Sequence, residues 1–215
     1  MKDRVDIYIL DAERLKGRED NIVQGIAPYY ADKHRRAKVE SVKMQELGAG
    51  YILSKVLGVT KDEQLSFGEH GKPFLSDKSK EFSLSHAGCY VVLAVSKEPV
   101  GVDIESTERL TLSVLKRVLP VSYYDELISM REKETPGCDK AAEEPQSPEE
   151  KLRWAKAWTS VEAVLKAIGS GFFLDPREEN SFMDGWHIES FPLSDEFMVS
   201  CAARFPFTVH QNELT

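Results

Sequence analysis

The distribution of hydrophobic and polar residues in the first part of the chain predicts a strand, a long helix and a turn. The segment from Val5 to Leu10 mixes branched and aromatic residues, as β-strands do. Residues 29–55 follow Pro28 and contain no proline, so they predict a single helix that closes at Gly58. The glycine and proline residues between Glu69 and Pro73 predict a turn.

Two apolar segments in the middle of the chain predict a β-hairpin. Residues 90–95 form an unbroken apolar run, which is typical of a buried strand. Residues 96–99 have the composition of a turn. Residues 100–105 alternate apolar and polar side chains, as a half-exposed strand does.

Two helical regions separated by an irregular stretch follow. Residues 113–131 predict the first. Residues 132–146 contain two prolines and a glycine and lack apolar periodicity, so they predict a loop or mobile insert. Ser147 then offers an N-cap, Pro148 suits the first helical position, and Glu150 completes a capping box. The apolar stripe of this second helix consists of Trp154, Trp158, Val161, Leu165 and Ile168, with Gly169 at its expected end.

The tail predicts two more strands, at residues 186–191 and 197–203. Helices therefore occur beside mostly antiparallel strands in both halves of the chain. This pattern predicts the α+β fold class.

Composition and charge exclude several classes of protein. The chain has 215 residues, of which 41% are hydrophobic, so it can bury a core as one large domain or two small ones. Its net charge of −8 argues against a general nucleic-acid binder, because neutralising phosphates needs a basic surface. We expect no membrane span and no signal peptide, since no apolar run is long enough. The three cysteines are widely spaced without a CxxC motif, so we expect a cytoplasmic protein.

Asp103 and Glu105 lie two positions apart in a predicted strand, so their side chains share one face while Val102 and Ile104 point to the core. Two carboxylates on one face can reach the same cation. No two histidines have metal-binding spacing, so any metal would be held by oxygen, and Mg²⁺ is the expected ion. The alternative is a pair of solvated charges on an edge strand.

Glu162 and Lys166 lie four residues apart on one face of the predicted helix. They could set a carboxylate beside a metal and an ammonium beside a phosphoryl leaving group, or form an ordinary surface ion pair. Ser85 and His86 end a polar tip, predicted as a loop, where they could contact a phosphate or simply be exposed.

Five basic residues are concentrated in one short part of this acidic chain. They could form a local anion site or a solvated helix face. They are Lys33, Arg35, Arg36, Lys38 and Lys43.

Taken in order, four short motifs resemble those of the 4′-phosphopantetheinyl transferase superfamily, in its larger monomeric, Sfp-like type. Each motif is weak alone, but their order and rough spacing agree with the family over residues 71–166. Residues 47–53, after the basic stretch, are also similar to the first half of this family. The motifs are Gly71-Lys-Pro73, Ser83-Leu-Ser-His86, Gly101-Val-Asp-Ile-Glu105 and Trp158-Thr-Ser-Val-Glu-Ala-Val-Leu-Lys166.

The resemblance implies a reaction and an architecture. The 4′-phosphopantetheine group of coenzyme A would be transferred, with Mg²⁺, to a serine of an acyl or peptidyl carrier protein, releasing adenosine 3′,5′-bisphosphate. The fold would consist of two similar α+β halves related by a pseudo-twofold axis, residues 1–100 and 101–215, with the coenzyme in the cleft between them. We expect a monomer whose carrier docks near Phe172 and Phe173.

The resemblance also implies roles for the candidate residues. Asp103, Glu105 and Glu162 would hold Mg²⁺, Glu162 would accept the serine proton, and Lys166 would act on the leaving phosphate. The implied coenzyme contacts are Lys72 and Pro73 near the adenine, Ser85 and His86 at the phosphates, and Lys33, Arg36, Lys38 and Lys43 near the 3′-phosphate.

Val161 departs from the family, which commonly has lysine there. The apolar stripe explains how valine fits, on the packed face between Trp158 and Leu165, and Lys156 or the basic segment could supply the missing cation. Two alternatives to a transferase stay open: a catalytically impaired homologue that binds coenzyme A or a carrier protein, and a phosphate-binding or nucleotide-sugar enzyme of another reaction class. We favour the transferase because the three predicted metal ligands and Lys166 are all present.

Overall fold

The computed structural model describes residues 3–134, 142–145, 147–178 and 180–214. The α-helices are α1 Glu19–Val23, α2 Pro28–Arg36, α3 Glu40–Leu57, α4 Leu112–Val118, α5 Val121–Glu134 and α6 Pro148–Ile168. The strands are β1 Asp3–Asp11, β2 Leu65–Phe67, β3 Pro73–Leu75, β4 Glu81–Ala87, β5 Tyr90–Ser96, β6 Val100–Ser106, β7 His187–Ser194, β8 Phe197–Ala203 and β9 Phe207–Leu214. Short 3-10 helices occupy Ala12–Leu15, Asp62–Gln64, Thr107–Arg109, Gly171–Phe173 and Asn180–Met183.

The strands form a four-stranded sheet in the order β4-β5-β1-β9, a three-stranded sheet in the order β6-β8-β7, and the small β2-β3 pair. All pairings are antiparallel except that of β9 with β1, which is parallel. The α+β fold class is confirmed. The division into residues 1–100 and 101–215 as two similar halves stays a prediction. Among the described residues, no helix combines the length and apolar character needed to cross a membrane.

The two larger sheets share a buried cluster. Ile7 and Val92 from the four-stranded sheet belong to the same cluster as Val102 and Val199 from the three-stranded sheet. Separate clusters cover the other sides, one containing much of α3 and the other much of α6. Burial of branched side chains between the sheets therefore fixes their relative position.

The edge strands β4 and β6 meet without forming a backbone ladder. Ser83 Oγ accepts a hydrogen bond from the Val102 N–H at 3.1 Å, and Ser85 Oγ accepts one from the Ile104 N–H at 3.4 Å. The serine side chains thus satisfy edge groups of β6 that would otherwise be buried without partners. We call this junction the seam.

Helix α6 lies directly on β6 because of Gly101. A Cβ atom at this position would stand 1.8 Å from the carbonyl oxygen of Ala163, a distance that no side chain can occupy. The prediction for α6 itself is confirmed: Ser147 Oγ accepts a hydrogen bond from the Glu150 N–H at 3.1 Å, and Gly169 ends the helix at φ +84°. The predicted apolar stripe of this helix is wrong at Ile168, because this side chain, at the last helical position, is 42% exposed.

The predicted hairpin of residues 90–95 and 100–105 is wrong. Strand β5 pairs with β4 on one side and β1 on the other, so neither of its edges is free for β6. Residues 96–99 instead carry the chain from one sheet to the other. There β6 pairs with β8.

The predicted helix over residues 29–55 is interrupted. Ala37 and Val39 are extended, which separates α2 from α3. The break lets α2 fold back along α3, where Tyr30 packs closely over Gly50 and is buried. An unbroken helix would leave Tyr30 and its apolar neighbours in water.

Other differences are local. The helical region predicted at residues 113–131 consists of α4 and α5, which Pro120 separates because it lacks an N–H donor. Within the predicted insert 132–146, α5 continues to Glu134, whereas residues 135–141 and 146 lie outside the described residues. Strands β4 and β9 have no counterpart in the prediction.

Candidate active site

A cavity of about 410 Å³ opens at the seam, between β4, β6 and α6 on one side and α2 and α3 on the other. We call it the seam cavity. It gathers residues that are far apart in the sequence. The predicted site residues that line it are Lys33, Pro73, Ser85, His86, Asp103, Glu105, Glu162 and Lys166.

A carboxylate, a serine and a lysine are linked in this cavity. Asp103 is 2% exposed, and its Oδ1 accepts hydrogen bonds from Lys166 Nζ at 2.5 Å and from Ser85 Oγ at 2.8 Å. Lys166 Nζ also donates to Ser85 Oγ at 2.7 Å. Because Ser85 belongs to β4, Asp103 to β6 and Lys166 to α6, these contacts join both sheets to the helix.

Glu105 and Glu162 lie close enough to Asp103 for its negative charge to affect their pKa values. Burial raises the pKa of Glu105 to about 7, and the charge of Asp103 acts in the same direction, opposed in part by Lys166. Burial and the charges of Asp103 and Glu105 likewise raise the pKa of Glu162 to about 7. A group of carboxylates in mutual repulsion is favourable for a bound cation.

No ready-made metal cluster of three histidine, cysteine, aspartate or glutamate side chains occurs in the described part of the chain. The predicted ligands Asp103, Glu105 and Glu162 nevertheless line one cavity, and Asp103 Oδ2 is buried without a hydrogen-bond partner among the described atoms. A hard cation that binds oxygen would satisfy this atom. The donor set therefore fits Mg²⁺, and its binding here is a proposal.

Lys72 and Pro73 lie at one end of the seam. Pro73 lines the seam cavity and also a neighbouring cavity of about 250 Å³, which Lys72 and Lys166 line with it. Lys72 Nζ donates to the carbonyls of Val100 at 3.2 Å and Ala167 at 3.3 Å. The latter contact neutralises the C-terminal end of α6. Burial lowers the pKa of Lys72.

The sequence places His86 in a loop, which is wrong. His86 lies within β4 and pairs with Val91 of β5, because the polar tip continues the strand. Its ring is accessible from the seam cavity. Partial desolvation lowers the pKa of His86, and the charges of Lys166 and Lys33 lower it further against the opposing effect of Glu46.

The basic run does not converge on one point. Lys33 lines the seam cavity, whereas Lys43 lines a different cavity of about 270 Å³ beside His34 and Arg35. Arg36 and Lys38 are exposed at the end of α2 and just after it.

Sequence reasoning missed Glu46 and an aromatic group in the same cavity. Glu46 Oε1 lies 2.8 Å from Lys33 Nζ, and the glutamate side chain is only 12% exposed. Tyr29, Tyr30 and Phe67 stand beside this pair, with Lys33 over both tyrosine rings. A single acidic residue on the otherwise apolar, glycine-rich face of α3 is the signal that could have identified Glu46.

Val161 is fully buried in the core around α6, as the apolar stripe predicts. It therefore takes no direct part in the seam cavity. Phe173, one of two residues predicted at the carrier surface, is 80% exposed and stacks on His70 with ring centroids 4.3 Å apart. The side chain of Phe172 lies outside the described residues.

Sequence comparisons identify several related transferases. No family model matches the chain. It is 30% identical to the 4′-phosphopantetheinyl transferase Sfp of Bacillus subtilis over 46% of this chain and 42% of that protein. It is 30% identical to the 4′-phosphopantetheinyl transferase ffp of Bacillus subtilis over 66% of this chain and 55% of that protein. It is 31% identical to the 4′-phosphopantetheinyl transferase gsp of Aneurinibacillus migulanus over 49% of this chain and 38% of that protein.

The chain thus matches about half the length, or less, of these three curated relatives. All three relatives are named as 4′-phosphopantetheinyl transferases, the family that the four motifs resemble. These matches confirm the resemblance of this chain to the 4′-phosphopantetheinyl transferase superfamily, Sfp-like type.

Proposed function

We propose that this protein transfers the 4′-phosphopantetheine group of coenzyme A to a serine hydroxyl of an acyl or peptidyl carrier protein. In the reaction the serine oxygen attacks the phosphorus that carries the pantetheine arm, and adenosine 3′,5′-bisphosphate leaves. The observation that carries the proposal is the Asp103, Ser85 and Lys166 cluster in a cavity that Glu105 and Glu162 also line. The related transferases support the same reaction.

In this proposal Asp103, Glu105 and Glu162 hold Mg²⁺. When bound, the ion would neutralise the diphosphate and the charge that develops as the phosphorus–oxygen bond breaks. The carboxylates from β6 and α6 supply the negative surroundings that such an ion needs.

Lys166 and Glu162 of α6 have the two remaining proposed roles, one at the leaving group and one as the proton acceptor. Asp103 and Ser85 hold the ammonium of Lys166, which is thereby oriented to donate to the departing phosphate. Glu162, one turn earlier, accepts the serine proton. Both groups are fixed by the helix, so little reorganisation is needed during the reaction.

The remaining proposed coenzyme contacts lie in the seam cavity and in the neighbouring cavity that Lys72 lines. We assign Ser85 and His86 to the phosphates and Lys72 and Pro73 to the surroundings of the adenine. Of the residues assigned to the 3′-phosphate, Lys33 lines the seam cavity, and Arg36, Lys38 and Lys43 stay predictions. Magnesium dependence, a cytoplasmic location and a monomeric state likewise stay predictions.

The test is incubation of the whole chain with coenzyme A, Mg²⁺ and several unmodified carrier proteins, followed by intact mass spectrometry of each carrier. We expect a gain equal to one phosphopantetheine group. A carrier whose acceptor serine is replaced by alanine is the control and should gain nothing. Binding of coenzyme A without a mass gain on any carrier would contradict the proposal.

A further inference from the structure

Three hydroxyl groups join α6 to the three-stranded sheet. Thr159 of α6 and Ser200 of β8 are both fully buried, and their hydroxyl oxygens lie 2.6 Å apart. Ser190 Oγ of β7 lies 2.8 Å from Ser200 Oγ. We call these three residues the hydroxyl row. Buried hydroxyl groups add little stability over apolar side chains of the same shape, so the hydroxyl row points to a role beyond packing.

The direction of these hydrogen bonds follows from the acceptor at one end. Thr159 Oγ1 lies 2.8 Å from the carbonyl oxygen of Ala155, which can only accept, so the Thr159 proton is directed there. The proton of Ser200 is then directed to Thr159, and that of Ser190 to Ser200. Each hydroxyl proton has a defined acceptor, which makes the link between β8 and α6 directional.

This link lies at the level of the proposed metal ligands. Ser200 is the partner of Asp103 in the pairing of β8 with β6, so their side chains project from the same face of the sheet. Glu162 follows Thr159 by three residues, or about 4.5 Å along the helix. The hydrogen bond of Ser200 therefore connects the strand position beside Asp103 with the turn of α6 before Glu162.

Packing alone restrains this part of α6 weakly. The residues in contact are small: Gly101 of β6 lies against the backbone of Ala163, and Ala202 of β8 belongs to the same buried cluster as Ala163. Small side chains allow a close approach, but they form shallow ridges and grooves that resist sliding of the helix poorly. A directional hydrogen bond supplies the missing restraint.

We propose, building on the function proposed above, that Ser200 and Thr159 are positioning residues for Glu162 at the proposed metal site. Their hydrogen bond sets the position of α6 along β6 and β8, and with it the place of Glu162 relative to Asp103 in the seam cavity. Neither Ser200 nor Thr159 lines that cavity, so both act through the helix.

The test is the double substitution Thr159→Val/Ser200→Ala, which replaces both partners by apolar groups of similar shape. Stability should change little, because neither partner is left unsatisfied and the half-buried Ser190 can bond to water instead. Loss of Ser200 also excludes a substitute bond to Ser160, whose Oγ lies 3.5 Å away. We expect a wild-type midpoint in urea but a Kd for Mg²⁺ about tenfold higher, as for other groups that orient metal ligands. The Kd is measured by isothermal titration of the whole chain with saturating coenzyme A, without carrier protein.

Two single substitutions are the matched controls. Ser190→Ala removes a hydroxyl group from the row but keeps the bond between β8 and α6, and Thr159→Ser keeps an acceptor for Ser200. Both variants should retain the wild-type Kd for Mg²⁺. A wild-type Kd in the double variant, or an equal rise in Ser190→Ala, would overturn the inference. If the double variant does not fold, Ser200→Ala replaces it in the same comparison.

The titration also separates this inference from the proposed function. Mg²⁺ binding that the double variant weakens, in a wild-type chain that modifies no carrier, would support the inference and overturn the proposed function alone. Failure of the wild-type chain to bind Mg²⁺ in the presence of coenzyme A would overturn both.

Discussion

Asp103 has two carboxylate oxygens in different surroundings. Oδ1 accepts from Lys166 and Ser85, whereas Oδ2 is buried without a partner among the described atoms. One oxygen thus orients the lysine, and the other is available to the proposed cation. This division makes Asp103 the residue on which the proposed chemistry depends most.

Asp103→Asn should lower the transfer rate at least about a hundredfold, because it removes an electrostatic contact from both the proposed metal and Lys166. The rate is measured from the intact mass of the carrier over time, with folding checked by circular dichroism. Asp175→Asn is the control, since Asp175 is paired with exposed Arg177 outside the seam cavity. Wild-type rates in Asp103→Asn would remove the metal proposal.

Val161→Lys tests whether the departure from the family at this position is a matter of packing. Val161 is fully buried, so an unpaired ammonium there should destabilise the fold by about 3 kcal/mol or more, measured by urea denaturation. The partly exposed Val42 of α3 offers the same substitution as a control, and Val42→Lys should change stability by less than about 0.5 kcal/mol. Equal stability of the two variants would show that position 161 tolerates charge.

At the scale of elements, the contact between α6 and β6 positions the proposed catalytic groups. Glu162 and Lys166 lie on the helix, whereas Asp103 and Glu105 lie on the strand. The helix backbone touches the strand at Gly101, where a Cβ has no room. The closeness of the two elements therefore sets the distances among these side chains.

Gly101→Ala should push α6 away from β6. We expect a loss of about 3 kcal/mol in the free energy of unfolding and a large fall in transfer at temperatures where the variant is still folded. Gly25→Ala is the matched control, because its new Cβ would meet its nearest atom, Ile22 O, at an ordinary 3.7 Å. Full activity of Gly101→Ala would mean that the helix position does not matter.

The sequence predicted α6 well because its signals are local. Ser147, Pro148 and Gly169 mark the helix ends within a few residues. The seam was not predictable in the same way, since the hydrogen bonds from β6 to Ser83 and Ser85 join edges of different sheets. Alternation in residues 100–105 indicated a strand with two different faces, but not the sheet to which it belongs. The expected half-exposed strand is wrong, because residues 100–104 are all buried.

At the scale of the whole molecule, the proposed metal site connects separate parts of the fold. Two of its carboxylates come from the three-stranded sheet and one from the helix that covers it, while Ser85 belongs to the four-stranded sheet. An ion held there would bind the folded state and not the unfolded chain. Its binding energy is then added to the stability of the fold.

Mg²⁺ at about ten times its dissociation constant should stabilise the protein by about 1.4 kcal/mol and raise the thermal midpoint accordingly. The comparison is differential scanning fluorimetry in MgCl₂ and in NaCl of equal ionic strength. The rise should vanish in Asp103→Asn. An equal rise in that variant would show that the ion acts elsewhere.

The family motifs identified most of the seam cavity before its shape was known, because Asp103, Glu105, Glu162 and Lys166 each lie in a recognisable segment. The ion pair of Glu46 with Lys33 could not be predicted from the sequence, because a contact between α2 and α3 produces no local sequence pattern. The basic run likewise contains no local signal that divides it into groups. Its members separate only when α2 folds back on α3.

The parallel pairing of β1 with β9 places Asp3 opposite Phe207. One edge of β1 therefore stays unpaired during folding until β9, about 200 residues later in the sequence, reaches it. Such a distant partnership slows folding, because loop-closure entropy is lost before the contact is gained. Until then, the unpaired edge of β1 can pair with a strand of another molecule. Refolding yield should therefore fall as protein concentration rises.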